Sequence, residues 1–393
     1  MKQRYHSLDV FRGATVALMI LVNNPGSWAH LFAPLKHAAW HGCTPTDLVF
    51  PFFLFAVGNA MVFVMPRLRE AGDALFWKKV LKRTVLIFGI GLLLNWWPFV
   101  QWEGDTLAFK YWINPDDPYR GIRILGVLQR IALAYCFASV LIYYCSERSV
   151  IAISAGILLG YWVLCVAFGK GDPYSLEGWF GTAIDKRVLG IPHMYKGEGV
   201  PFDPEGLVST LPAIVQVIFG YLTGQYIRSQ GEVPWLWRGV RSSEKSIYRM
   251  LSGLFTVAVL LAVAGMFWGL AFPINKKIWT SSYVLYTTGL ALLTIGTAIW
   301  FIEVMRMRNG LTRFFDVFGK NPLFIFVLSG ALPRLLGLFR VEGTTPLNWF
   351  YVNVCAKIPG PPEIGSFCYA LAFLGLCWAI GYMLDRKGIY IKV

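Results

Sequence analysis

The sequence predicts an all-α polytopic membrane protein of about ten transmembrane helices, with a long outside loop between spans five and six. Composition is the first reason: 56% of the 393 residues are hydrophobic, with 29 Phe and 16 Trp, more apolar surface than a soluble core needs. Mean hydropathy is +0.53. The second reason is that apolar runs near the ~20 residues that cross a bilayer recur along the whole chain. The third is an alternation of charge between the loops that join them.

The runs fall at about 10–28, 47–65, 84–102, 124–144, 149–168, 207–227, 250–272, 280–302, 315–339 and 364–384. The first carries no small-residue cleavage pattern after it, so the N-terminus is expected to be mature sequence. Lys320, Asn321 and Pro322 interrupt the ninth, and a broken span inside a bundle lines a cavity where the freed backbone finds partners. The seven cysteines are odd in number and mostly inside runs (Cys136, Cys165, Cys377), which is no disulfide framework. Only Cys43, Cys355 and Cys368 would face an oxidising compartment.

One set of connections is basic: Lys2 and Arg4, Arg67 to Arg83, Arg148, Arg228 with Arg238, Arg241, Lys245 and Arg249, Arg306 to Arg313, and Arg386 to Lys392. By the positive-inside rule these are cytoplasmic, which places both termini in the cytoplasm and, in a prokaryote, the protein in the inner membrane. The alternate connections are longer and richer in Gly, Pro and acids. The net charge of +14 then reflects topology and contact with anionic membrane lipid, and nothing calls for nucleic acid. Residues 1–393 read as a single transmembrane domain without an internal repeat, and 169–206, with Trp179, Phe180, His193, Tyr195 and Phe202, as an ordered extracytoplasmic cap. Aromatic stripes such as Trp96, Trp97 and Trp102, or Trp235 and Trp237, are interfacial belts.

The polar corner from Asn23 to Pro51 stands out. His30, His37, His41, Asp47, Asn23 and Asn24 crowd there between two apolar runs, and polar groups where membrane helices meet mark function because they are costly to keep out of water. Arg12-Gly13, Val22-Asn23, the His37-Ala-Ala-Trp40-His41-Gly42 run, Thr46-Asp47-Leu-Val-Phe-Pro51, Gly126-Val-Leu-Gln129-Arg130, Asp203-Pro-Glu205-Gly206 with Ser209-Thr210, Asn275-Lys-Lys-Ile-Trp279-Thr-Ser-Ser282 and Phe318-Gly-Lys320-Asn321-Pro322 occur in order over nearly the whole chain. Together they resemble the heparan-α-glucosaminide N-acetyltransferase family, in a member lacking the large N-terminal luminal region of the animal proteins. The resemblance implies transfer of acetyl from cytoplasmic acetyl-CoA to a sugar amine on the opposite side, a luminal histidine matched by His37, and a homodimer.

The residues fit such chemistry. An amine attacking a thioester must lose a proton, and an imidazole is the natural base, here His37. The bland alternative is a loop imidazole bonded to a nearby carbonyl. Asp47 would orient His37 or simply cap the second span, and Asn23 would donate to the thioester oxygen or cap the first. Asn59 is a similar candidate inside the second span. For acetyl-CoA, the candidate ligands are the polar groups embedded in or abutting runs: Arg12, Arg123, Gln129, Arg130, Lys320 and Asn321, against a reading of the cations as snorkelling to the interface, which covers Lys82 and Arg83. No Gly-rich nucleotide fingerprint is present. For the acceptor, the candidates are Trp40, His41, Asp203, Glu205, Trp279 and Ser282, the alternatives being helix starts and an interfacial anchor. His37, His41 and Asp47 are of metal-ligand type, but without a ligand-spacing motif no metal is expected. A transporter or flippase of an acidic solute or sugar conjugate remains the alternative function, since it would use the same buried charges as a pathway.

Overall fold

Backbone groups in an apolar run have only one another to bond, so a helix is the form such a run takes. In the computed structural model, which describes residues 5–229 and 247–391, each of the ten runs carries one. Lys2, Arg4, Trp235, Trp237, Arg238, Arg241, Lys245 and Lys392 lie outside the described residues.

The order is α1 (His6–Asn23), α2 (Val49–Met61), α3 (Met65–Ala71), α4 (Asp73–Trp96), the strands β1 (Val100–Glu103) and β2 (Thr106–Phe109), α5 (Val127–Tyr144), α6 (Glu147–Phe168), α7 (Gly181–Leu189) and α8 (Thr210–Arg228). It continues through α9 (Ile247–Trp268), α10 (Ser281–Ile299), α11 (Gly310–Lys320), α12 (Pro322–Leu336), α13 (Pro346–Asn353) and α14 (Pro362–Arg386). Among the described residues five helices, α5, α6, α9, α10 with its short π extension, and α14, are long and apolar enough to cross a membrane, and seven spans result if each of two bent pairs counts as one. The count is below ten because α1 carries Asp9 and Arg12, α4 spends its first half on Asp73, Lys78, Lys79, Lys82 and Arg83, and α8 holds Gln216 and Gln225.

Two expectations need adjusting. The run at 84–102 does not stay helical: α4 stops at Trp96, and after Pro98, which has no N–H to offer a helix, the chain turns into the antiparallel hairpin β1–β2, with Val100 opposite Phe109. The all-α chain therefore contains a small sheet. The ninth run is broken where Asn321 and Pro322 stand, and α11 and α12 meet at 83°.

The helices pair α9 with α10, α2 with α8, α1 with α11 and α4 with α5. Glycine sets the closest approach: a Cβ at Gly58 of α2 would strike the Val217 carbonyl of α8, and one at Gly220 the Phe55 carbonyl, so the two backbones touch. Between α6 and α8 the chain forms an ordered cap, with α7 inside it and Trp179 and Phe202 buried against Tyr161 and Phe272.

Candidate functional site

The stretch before α2 folds on itself through Asp47. Thr44 precedes a 3-10 turn opened by Pro45, and Asp47 Oδ2 accepts from the backbone N–H groups of Thr44 and Ala38, both at 3.0 Å. Its other oxygen, Oδ1, lies 2.6 Å from His37 Nδ1. One Asp47 oxygen thus caps the turn and the other meets the His37 ring. An ionised carboxylate only accepts, so Nδ1 is the donor in this pair and Nε2 is the ring nitrogen left for another partner. Asp47 is buried, whereas 39% of the His37 side chain is exposed.

The loop before α10 closes over this corner. Gly42, at φ +106 where only glycine sits without strain, turns its N–H to the Ile274 carbonyl at 2.7 Å. Asn275 is buried and locks the loop by accepting from the Ile278 N–H at 3.0 Å. The loop then delivers Lys276: its Nζ is 3.5 Å from Asp47 Oδ1, 3.1 Å from His37 Nδ1 and 3.5 Å from Nε2. Lys277 is spent on the Ala39 carbonyl at 2.8 Å and on Glu198 at 2.6 Å. Tyr283 of α10 ties the other side down, its hydroxyl donating to the Asp47 carbonyl at 2.6 Å. Burial pulls the Lys276 ammonium below the usual lysine pKa, against the opposing pull of Asp47 and Glu205.

Beyond Lys276 the charges continue into the cap. Arg123 binds Asp203 through two bonds, of 2.5 and 3.1 Å, and also bonds Glu205. Burial works against the Arg123 charge, but Glu205 and Asp203 outweigh it and raise its pKa. Glu205 is held low in return: burial would raise it, and Arg123 and Arg130 overcome that. Arg130, wholly buried in α5, bonds Ser209 Oγ and the Gly206 carbonyl and lies 5.1 Å from the Trp279 ring. Beside them Asp185 accepts from the Leu207 N–H at 2.9 Å, and burial pushes its carboxyl up to about 7.

These placements revise several expectations. Asp203 and Glu205 are committed to Arg123, so they are not free to receive an ammonium group. Arg123 and Arg130 accordingly belong to the cap end and not with Arg12 and Lys320. Trp279 is buried between Phe50 and Tyr283, which makes it neither an interfacial anchor nor a sugar platform, and buried Ser282 gives its hydroxyl to the Phe272 carbonyl at 2.5 Å. Trp40 is half-buried, donating to the Tyr174 carbonyl at 2.8 Å. His41 is exposed, with Nδ1 3.5 Å from Asn275 Nδ2. Asn23 is exposed at the end of α1 and makes no hydrogen bond to His37 or Asp47, while Asn24 caps back to the Ile20 carbonyl at 3.0 Å. Lys276 stands 239 positions from His37 in a loop whose basic residues carry no mark that sets it apart, so no signal in the sequence brings it to this site.

The opposite end of the bundle holds a cavity of about 320 Å³, walled by Phe53, Val57, Leu128, Ile131 and Leu323 and edged by Arg12, Arg83 and Lys320. A second, of about 430 Å³, shares Arg12, Ala56 and Ala60 with it. Arg12 donates to the Gly319 carbonyl and to Asp9, and Lys320 bridges Asp316 at 2.8 Å and Asp385 at 3.1 Å. Arg83 lies over the Tyr135 ring at 4.6 Å with its buried Nε unbonded, so it is a cavity group and not a snorkelling one. Asn321 is buried and holds the chain end, bonding the Ile389 carbonyl and the Ile391 N–H. Gln129 is buried against Gly91 and Gly126 and sits off the cavity wall. Nearby, His6, Asp9 and Asp316 bring one ligand atom each within 4.8 Å of the others, with Arg12 and Lys320 already paired to the carboxylates.

Fold and site define a class: a helical membrane-type bundle with an imidazole–carboxylate pair under a cap at one end and a cation-edged apolar cavity at the other. The family model described as heparan-alpha-glucosaminide N-acetyltransferase, catalytic, matches residues 4–245, and the chain belongs to that family. It is 26% identical over 442 aligned positions to the human protein named heparan-alpha-glucosaminide N-acetyltransferase, covering 99% of this chain and 60% of the relative. To the mouse protein of the same name it is 24% identical over 375 positions, covering 82% and 53%. The chain therefore spans a little over half the length of these relatives.

Proposed function

We propose that this protein is a membrane acetyltransferase that passes acetyl from acetyl-CoA, admitted at the cytoplasmic end, to the amine of a glucosamine-type sugar at the other end. The observation that carries the reading is the 2.6 Å bond between Asp47 Oδ1 and His37 Nδ1, which fixes the tautomer and leaves Nε2 as a base on a half-exposed ring. Family membership supplies the reaction class. In this reading the ten helical runs all span, both termini are cytoplasmic, and membrane lipid surrounds the bundle.

Of the cations that edge the cavity, Arg83 offers an unbonded Nε to phosphate while Arg12 and Lys320 are held by carboxylates, and the apolar wall suits the pantetheine arm. Phe53 lines that cavity six residues after Asp47, roughly 9 Å along the helix, a distance the extended arm exceeds. His37 Nε2 takes the proton as the amine nitrogen bonds the thioester carbon. The carbon–sulfur bond then breaks and the proton passes to the leaving thiolate, so acid and base balance over the cycle. Direct transfer needs only proximity and this base, and it requires neither an acetyl-histidine nor a metal. On the cap side a cavity of about 630 Å³, lined among others by Trp102, Tyr111 and Tyr195, offers aromatic faces to sugar units beyond the reacting one.

The test is to incubate purified protein in detergent with radiolabelled acetyl-CoA and glucosamine. N-acetylated sugar is the expected product. Solute uptake or exchange in vesicles with no acetylated product would instead favour a transporter.

A further inference from the structure

Acyl transfer passes through a tetrahedral intermediate whose oxygen bears negative charge, and a preorganised donor must meet that oxygen near the base. Asn23, the residue expected in that role, is exposed and unconnected to His37 or Asp47. The His41 imidazole faces the Asn275 carboxamide. Among the described residues, the charged and titratable neighbours around His37 are Asp47, Lys276, Glu205 behind it and the half-buried Cys43. Of these only Lys276 can donate to an anion: Lys277 is taken up by Glu198 and Ala39, and Arg123 by two carboxylates.

The geometry of Lys276 suits that task. Its ammonium has three donors, of which Asp47 Oδ1 at 3.5 Å takes one, and a His37 Nδ1 that is itself donating to Asp47 can take none. Nε2, at 3.5 Å, is a long contact and is given up when the base receives its proton. Two N–H groups therefore remain beside the atom at which proton transfer occurs. Resting on the acetyltransferase reading above, we infer that Lys276 is a catalytic residue whose ammonium receives the thioester oxygen as it becomes an oxyanion. Asp47 then serves two partners with one oxygen, holding the base through its Nδ1–H and the oxyanion donor through its ammonium, so that both approach the reacting carbon from a fixed distance. Only 22% of the Lys276 side chain is exposed, and partial burial strengthens the interaction relative to one in water.

The experiment compares wild type with Lys276→Met, Lys276→Gln and Lys276→Arg in detergent, measuring kcat, KM for acetyl-CoA and for glucosamine, melting temperature and, by mass spectrometry, acetylation of the protein. Lys276→Met is expected to lower kcat by about 100–1,000-fold with both KM values within about threefold. Lys276→Gln, which keeps a neutral donor and serves if the Met variant fails to fold, should fall between Met and wild type. Lys276→Arg, which keeps the charge, should recover most of the rate. Wild-type kcat in folded Lys276→Gln, or kcat, KM and melting temperature falling together in every variant including Arg, overturns the assignment. So does stable acetyl on Lys276 in wild type during turnover, because the lysine would then be a nucleophile. If wild type itself makes no acetylated sugar, the acetyltransferase reading fails, an outcome distinct from a working wild type whose Lys276 variants also work.

Discussion

The two ends of the bundle use charge differently. Under the cap, Asp47, His37 and Lys276 come from loops on either side of the chain's length, and they leave capacity unspent: a half-exposed imidazole and an ammonium with donors to spare. At the opposite end Lys320 is shared by Asp316 and Asp385, Arg12 is tied to Asp9 and Gly319, and Asn321 secures the chain end, around a cavity walled mostly by apolar side chains. Charge that is fully paired holds structure together, and charge with a free valence is available for chemistry. Among the cations that edge that cavity, Arg83, with its unbonded Nε, is of the latter kind.

The largest expected effect lies under the cap. His37→Ala should fold and bind acetyl-CoA yet turn over at least about 100-fold more slowly, because the proposed general base is gone. Asp47→Asn should cost about as much in kcat by losing the tautomer-fixing acceptor. Steady-state kinetics beside a CoA-binding measurement checks both, and a near-wild-type rate in either would remove that residue from the mechanism. At the cavity end, Arg83→Gln should weaken acetyl-CoA binding by about 10–100-fold, the value of one charge-assisted contact, with little change in glucosamine KM or melting temperature. Lys320→Gln should do the reverse, costing about 1–2 kcal/mol of stability by unlinking α11 from α14. Equal losses of affinity in the two variants would erase the contrast between structural and available charge.

The smallest effect concerns Asp185. Its carboxyl titrates at about 7 in the folded protein, pushed up by burial, so the native state keeps a proton that the unfolded chain releases. Stability should fall as pH rises from about 4 towards 7 and level off above that, a shift of a few degrees in melting temperature. Asp185→Asn should flatten this slope, and a slope unchanged in the variant would mean that the carboxyl is ionised throughout.

Much of the fold was legible because a helix leaves a long apolar run, and a run of that length has few other ways to satisfy its backbone. The break at Asn321–Pro322 was legible too, since proline and a buried carboxamide interrupt a pattern visibly. The hairpin was hidden because Trp, Phe and Val continue the apolar run past Pro98 without a change of composition. Within the site, His37 and Asp47 lie ten positions apart and share one loop, so local reading brought them together. Arg123 and Asp203 are 80 positions apart and Lys276 and His37 are 239 apart, and nothing in spacing announces that such residues touch. Arg123 and Arg130 likewise meet cap-side partners that spacing does not indicate: a buried cation signals a partner and not which partner.

The most direct test of a two-ended site is transfer across a sealed membrane. Vesicles in which the His37 face is luminal would carry trapped glucosamine, with acetyl-labelled CoA supplied only outside. Acetylated glucosamine accumulating in the lumen of intact vesicles, and absent with His37→Ala, is the predicted result. Product that forms only after detergent opens the vesicles, or only when both substrates share one face, would contradict it.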